Sequence, residues 1–150
     1  MKGIIIALAI VIAQPVFAGC DYNKQLQALA LNIYYEARGE GEAGMQMVGE
    51  VVLNRVGHPK YPDTICEVVY QRGQFSWVKQ IKNNTPKEHD MWLLSLHMAE
   101  RLLRGDIDLY DNGATHFLNP KNMRSMPSWA RKFHKVAKIG NHVFYEQTSG

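Results

Sequence analysis

Tyr34-Tyr35-Glu36-Ala37-Arg38-Gly39-Glu40-Gly41-Glu42 closes the first amphipathic segment of a 150-residue sequence, and its reading decides the rest. Upstream, Leu26, Leu29, Ala30 and Ile33 recur at helical spacing and predict a helix whose apolar stripe faces a core. Glu36 follows Ile33 by three residues, beside that stripe and just before the helix must stop. A carboxyl group at the rim of an apolar face is partly desolvated, which favours its protonated form and suits it to be a general acid. Gly39 and Gly41 end the helix and leave room for a ligand near the backbone. The competing reading is a solvated surface turn, in which three acids and an arginine cover the fold and do nothing more.

Working outward, the N-terminus has the form of an export signal. Met1-Lys2-Gly3 is a short positive region, Ile4 to Ile12 an apolar one, and Val16 and Ala18 are small residues before a cleavage point, so residues 1–19 read as a signal peptide and 20–150 as one domain. The apolar stretch is shorter than the ~20 residues of a spanning helix, and no later stretch is long and apolar enough, so no membrane span is expected in the mature domain. The destination is the periplasm or cell envelope, or the exterior. Two cysteines complicate the start of the mature chain. Phe17-Ala18-Gly19-Cys20 resembles a lipoprotein cleavage site, which would place a lipid anchor on Cys20, whereas Cys20 and Cys66 in an exported chain can instead form a disulfide, the favoured reading, or stay as thiols. Spacing does not choose among the three.

Composition narrows the function. Charged residues are 21% of the chain and the formal net charge is +3, a mild preference for anionic polymers or surfaces. No basic run interleaved with aromatics is present, and no nucleic-acid partner is expected. His116, His134 and His142 match no compact metal motif, and Asp106, Asp108 and Asp111 lack the glycine and terminal glutamate of a calcium loop. Without a phosphate-binding glycine loop or a serine elbow, no metal or cofactor is expected, and carboxylate chemistry is favoured.

The remaining elements follow from period and punctuation. Met47, Val48, Val51, Val52 and Arg55 share a helical face that ends at Gly57-His58-Pro59, with Glu50 and Asn54 expected to point elsewhere. Arg55 reads either as a surface arginine at a helix end or as one with a buried stem and a head seeking a carboxylate. Thr64 and Glu67 form a capping box for a short helix. Gln74, Phe75, Ser76 and Trp77 lie in a non-helical stretch able to hold a sugar by hydrogen bonds and stacking, or to plug the core with its two rings. Thr85, Pro86 and Glu88 predict the start of a helix running to about Leu103, broad enough in its apolar surface to be central. Gly113 to Leu118 reads as a strand entering the Asn119-Pro120 turn, from which His116 and Asn119 can reach polar substrate groups. Ser128 is a candidate cap for a short helix with Trp129 and Phe133. Val136–Ile139 and His142–Tyr145 flank Gly140-Asn141, a two-residue type II′ hairpin. Helices followed by a small antiparallel element make an α+β domain.

These residues carry a resemblance. Glu36-Ala37-Arg38-Gly39-Glu40, then Gly44, Val48, Val51, Asn54-Arg55-Val56, Ile65, Val68, Gln74-Phe75-Ser76, Gly113-Ala114-Thr115-His116-Phe117, Asn119-Pro120 and Ile139-Gly140-Asn141-His142 are similar, in order, to the spore-cortex-lytic cell-wall hydrolase family called SleB/CwlJ. The resemblance covers nearly all of the chain after residue 24. It departs over Lys121 to Arg131, and no separate wall-binding domain is expected. It implies a mostly helical fold like lysozymes and lytic transglycosylases, action on the glycan strands of bacterial peptidoglycan, and one essential acid, which falls on Glu36. Arg38, Glu40, Gln74, Phe75, Ser76, His116, Phe117 and Asn119 are then the expected substrate-binding residues. Glu40 and Glu42 are available as a second carboxylate for hydrolysis, whereas attack by the muramyl 6-hydroxyl needs none. A peptidoglycan amidase and a non-catalytic glycan-binding protein remain as alternatives.

Overall fold

Ala28 to Tyr34 are buried on every side, and this run is the centre of the molecule. The computed structural model describes residues 19–83 and 85–148, so the expected leader lies outside the described residues except for Gly19. Helix α1 (Tyr22–Ala37) starts where the Asp21 carboxylate accepts from the Lys24 backbone N–H at 2.9 Å, and it packs on α2 (Gly41–Val56), α3 (Ile65–Tyr70) and α5 (His89–Arg104). A single turn, α4 (Trp77–Gln80), is tied to α1 by the Trp77 indole, which donates to the buried Asn32 Oδ1 at 3.0 Å. Gly49 of α2 lets three helices close up: a Cβ there would lie 3.1 Å from Ile33 Cδ1 and nearer still to Leu102.

The sheet has three antiparallel strands, β1 (Ala114–Leu118), β2 (His134–Ile139) and β3 (His142–Glu146), in the order β1-β3-β2. Phe117 stands opposite Phe144, and Ile139 opposite His142 across the Gly140-Asn141 turn. Gly140 has φ 56° and Asn141 is not in the left-handed region, in keeping with glycine at the first position of a type II′ turn. Helices with a small antiparallel sheet are the α+β architecture expected from the sequence. Cys20 and Cys66 form a disulfide, Cα atoms 5.8 Å apart, that ties the entrance of α1 to α3. No helix among the described residues is long and apolar enough to cross a membrane.

Four local expectations are corrected. Helix α5 starts at His89 rather than near Pro86, because the Tyr34 hydroxyl accepts from the backbone N–H groups of Lys87 and Glu88 at 3.1 and 3.0 Å, and Thr85 bonds back to Asn83. That helix is not the central one: Leu93 and Leu94 are each 50% exposed, whereas α1 and α2 fill the core. Glu50 does not point away but is 2% exposed, accepting from Gln46 Nε2 at 2.8 Å and the Tyr110 backbone N–H at 3.1 Å, because the 106–112 loop covers the outer side of α2. Ser128 is not a cap but the first residue of a 3-10 turn (Ser128–Arg131) preceded by Pro127, and Phe133 lies beyond it.

Candidate active site

Glu36 is the penultimate residue of α1 and is half-buried where two recesses meet. One, of about 590 Å³, is lined by Gln74, Phe75 and Ser76 from the segment leading into α4 and by Phe117, Asn119 and His142 from the sheet and the turn after β1. Arg55 from the last turn of α2 also borders it. The second, of about 720 Å³, runs past Tyr35, Arg38, Trp77, Lys82 and Glu88. Glu36 and Ser76 line both recesses, so the two form one groove with the carboxyl group at its waist. The groove is built by helix termination: α1 stops at Arg38, and Gly41, at φ 74°, turns the chain into α2.

Burial pushes the Glu36 carboxyl from its ordinary 4.5 up to about 6, against the opposing pull of the Arg55 guanidinium. Half of such groups are protonated near pH 6, and the carboxyl group can therefore both give and take a proton close to neutral pH. Arg55 donates through Nε to the Thr115 carbonyl at 2.8 Å, and its guanidinium lies 5.2 Å from the ring centroids of both Tyr61 and Phe75. His142 is held towards its neutral form by burial, with Glu40 acting in the opposite direction.

The expected site residues divide into two groups. Gln74, Phe75, Ser76, Phe117 and Asn119 surround Glu36, and Arg38 lines the other arm of the groove, where its Nε donates to Glu88 at 2.9 Å. Phe75 and Trp77 are largely buried, so their rings mostly complete the core, as the plainer reading of them held.

Glu40 and His116 line neither recess. Glu40 accepts from the Asn141 backbone N–H at 2.7 Å and from its side-chain amide at 3.2 Å, pinning the hairpin turn to the α1–α2 junction. His116 neighbours Phe117 on β1 and so takes the opposite face, against Trp129 and Phe133 with centroids 4.9 and 4.8 Å away. Glu42 is likewise spent, in an ion pair with Arg101 at 2.9 Å. Sequence reasoning missed Met123 and Trp129, which line the same recess as Gln74. They come from the irregular 119–131 segment, where no periodicity could signal them. Tyr34 and Tyr35 stood in the opening motif, but nothing in their spacing assigned them a side of the groove.

A family described as Cell Wall Hydrolase matches residues 39–145, a span that begins just after Glu36. The chain is 30% identical over 134 residues to a spore cortex-lytic enzyme of Halalkalibacterium halodurans, covering 88% of this chain and 37% of that protein. It is 26% identical over 126 residues to the spore cortex-lytic enzyme of Bacillus subtilis, covering 83% of this chain and 38% of the other. The chain thus spans well under half the length of these relatives. Among solved structures it is similar to the catalytic domain of the germination-specific lytic transglycosylase SleB from Bacillus anthracis, at 26% identity and TM-score 0.66, covering 81% of this chain and 93% of that domain. The catalytic domain of the Bacillus cereus SleB protein, at 24% identity and TM-score 0.65, shares the fold.

Proposed function

Because the chain belongs to the cell wall hydrolase family, we propose that it cleaves the glycan strands of bacterial peptidoglycan between N-acetylmuramic acid and N-acetylglucosamine, with Glu36 as the acid. The observation that carries this reading is the isolation of Glu36. Among the described residues lining the groove the other carboxylate is Glu88, and Arg38 neutralises it. A hydrolytic scheme with two carboxylates flanking the bond needs a second acid at a fixed distance, and Glu40 and Glu42 are both engaged elsewhere.

A single acid suffices for intramolecular transfer. The protonated Glu36 gives its proton to the glycosidic oxygen as the bond from the muramyl C1 to that oxygen breaks, and positive charge develops at C1. The muramyl 6-hydroxyl then bonds to C1 and returns its proton to the Glu36 carboxylate. The products are an anhydromuramyl end and a free N-acetylglucosamine hydroxyl, no water is consumed, and the enzyme regains its starting protonation. A carboxyl group poised near pH 6 serves both steps. The naming of the Bacillus anthracis relative as a lytic transglycosylase supports this choice over hydrolysis. The leader-like N-terminus and the Cys20–Cys66 disulfide support action in an oxidising envelope compartment.

Purified peptidoglycan incubated with the mature domain tests the proposal. Anhydromuramyl ends in the digest are the expected product. New reducing ends would instead indicate hydrolysis, free peptide amines an amidase, and binding with neither a glycan-binding module.

A further inference from the structure

Arg55 is 4% exposed, a depth at which a full positive charge is costly unless something opposite answers it. Its hydrogen bonding is incomplete: Nε has the Thr115 carbonyl, but Nη1 is buried with no partner among the described residues. The described ion pairs do not include it, so no carboxylate oxygen of the described residues lies within 4.0 Å. Yet Arg55 opens on the same recess as Glu36, fixed there by the Thr115 bond and by the Tyr61 and Phe75 rings on which its guanidinium rests. A guanidinium stays charged throughout the accessible pH range, so its burial cannot be relieved by losing the proton.

The other charged and titratable groups around Glu36 do not compete for this role. On α1, Tyr35 is half-buried and Arg38 is paired with Glu88. In the segment before α5, Lys82 and Lys87 are exposed to solvent, and His142 on β3 is held towards neutrality. Tyr61 lies against the Arg55 guanidinium, and His116 on β1, held towards neutrality by burial and by the Arg55 charge, lines neither recess.

Resting on the assignment of Glu36 as the acid, we propose that Arg55 is a positioning residue that acts through Glu36, its buried guanidinium being the counter-charge for the carboxylate that exists after the proton has left. It makes the ionised state of Glu36 attainable in a site that otherwise suppresses it, and so lets one group act first as acid and then as base. Each influences the other in the direction this requires, Arg55 favouring ionised Glu36 and Glu36 favouring charged Arg55.

The test is an NMR titration of the Glu36 side-chain carboxyl carbon in the mature protein. Arg55→Gln is expected to raise the Glu36 midpoint by about one pH unit, the smallest shift typical of a lost opposite charge. Arg55→Lys, which keeps the charge without the fork, is expected to hold it near the wild-type value. The pH profile of turnover should move with the midpoint. An unchanged midpoint in Arg55→Gln overturns the proposal. Should that variant not fold, the Arg55 Nε–H resonance of the wild type decides: it is expected to shift with the Glu36 midpoint and to lose that step in Glu36→Gln, and a resonance that ignores the Glu36 titration overturns the proposal. None of these titrations depends on turnover, so their failure leaves Glu36 as the acid untouched, a role judged separately by the activity of Glu36→Gln.

Discussion

Glu40 and Asn141, 101 positions apart in the chain, are joined by two hydrogen bonds that fasten the β2–β3 turn to the break between the first two helices. Burial tends to raise the Glu40 pKa, but the bonds from Asn141 and the charges of His142 and Lys121 outweigh it and hold the carboxyl below its usual range. Gly140 allows the approach, since a Cβ there would collide with the Glu40 carboxylate.

Glu40→Ala should therefore act on stability before it acts on substrate. Loss of a charge-assisted bond is worth about 1.5–3 kcal/mol, so the variant should melt several degrees lower. Thermal melting and glycan affinity, measured side by side, check this. Unchanged melting with weakened affinity would return Glu40 to the substrate-binding role that its place in the sequence suggested.

The Cys20–Cys66 bridge closes a separation of 46 residues, for which the chain-entropy account gives about 4 kcal/mol. Reduction, or replacement of both cysteines by alanine, should lower the melting temperature markedly. Mass spectrometry of the exported protein should find it two hydrogen atoms lighter than the reduced chain. A mass carrying acyl chains on Cys20 would contradict the bridge.

Much of this was legible in the sequence because it rests on local chemistry. The Thr64 half of the Thr64–Glu67 capping box forms as read, the Glu67 backbone N–H donating to Thr64 Oγ1 at 3.2 Å, while the Glu67 carboxylate accepts from the Thr64 hydroxyl at 2.8 Å rather than from its backbone N–H. The two-residue turn at Gly140 and the helix ending beside Glu36 were readable for the same reason. What was not legible depends on distant partners. Pro86 looks like a first helical residue until the Tyr34 hydroxyl takes the next two backbone donors. Glu50 looks like a surface acid until the Asp108–Tyr110 loop, more than fifty residues on, closes over it. The site shows the same division: Gln74, Ser76 and Asn119 were identifiable by residue type, whereas His116 and Phe117, adjacent on a strand, face opposite ways, and a register irregularity between Ala114 and His116 hid which way each would face.

Ionisation of Glu36 should weaken the fold. With the folded pKa raised from 4.5 to about 6, the native state binds more protons than the unfolded chain in that window, so this contribution to stability is greatest below pH 4.5 and falls as pH rises through 6. The cost above that window is about 2 kcal/mol. Glu36→Gln carries no charge to bury, so its melting temperature relative to wild type should increase between pH 4.5 and 7. A difference that is constant with pH, or that narrows, would contradict the shift.

His116 works in the other direction. Burial, together with the charges of Arg55 and His58, lowers its pKa from 6.5 to about 4, so the folded protein binds fewer protons than the unfolded chain between those values. Stability from this group is complete above pH 6.5 and is lost as pH falls towards 4. His116→Phe should flatten the acid limb of the stability curve and leave glycan affinity near wild type, because the imidazole lines neither recess. Loss of affinity without a change in the acid limb would mean that His116 reaches the substrate after all.

Turnover of purified peptidoglycan by wild type and by Glu36→Gln, with the new glycan ends identified and both proteins shown to melt cooperatively, separates an acid at Glu36 from a merely structural carboxyl group. Glutamine keeps the size and hydrogen-bonding capacity of the side chain but has no proton to give, and a general acid commonly supplies about 10²- to 10⁴-fold in rate. A loss of that order is expected in the variant, with folding and glycan binding retained and anhydromuramyl ends from the wild type. Near-normal turnover by a folded Glu36→Gln protein would contradict it.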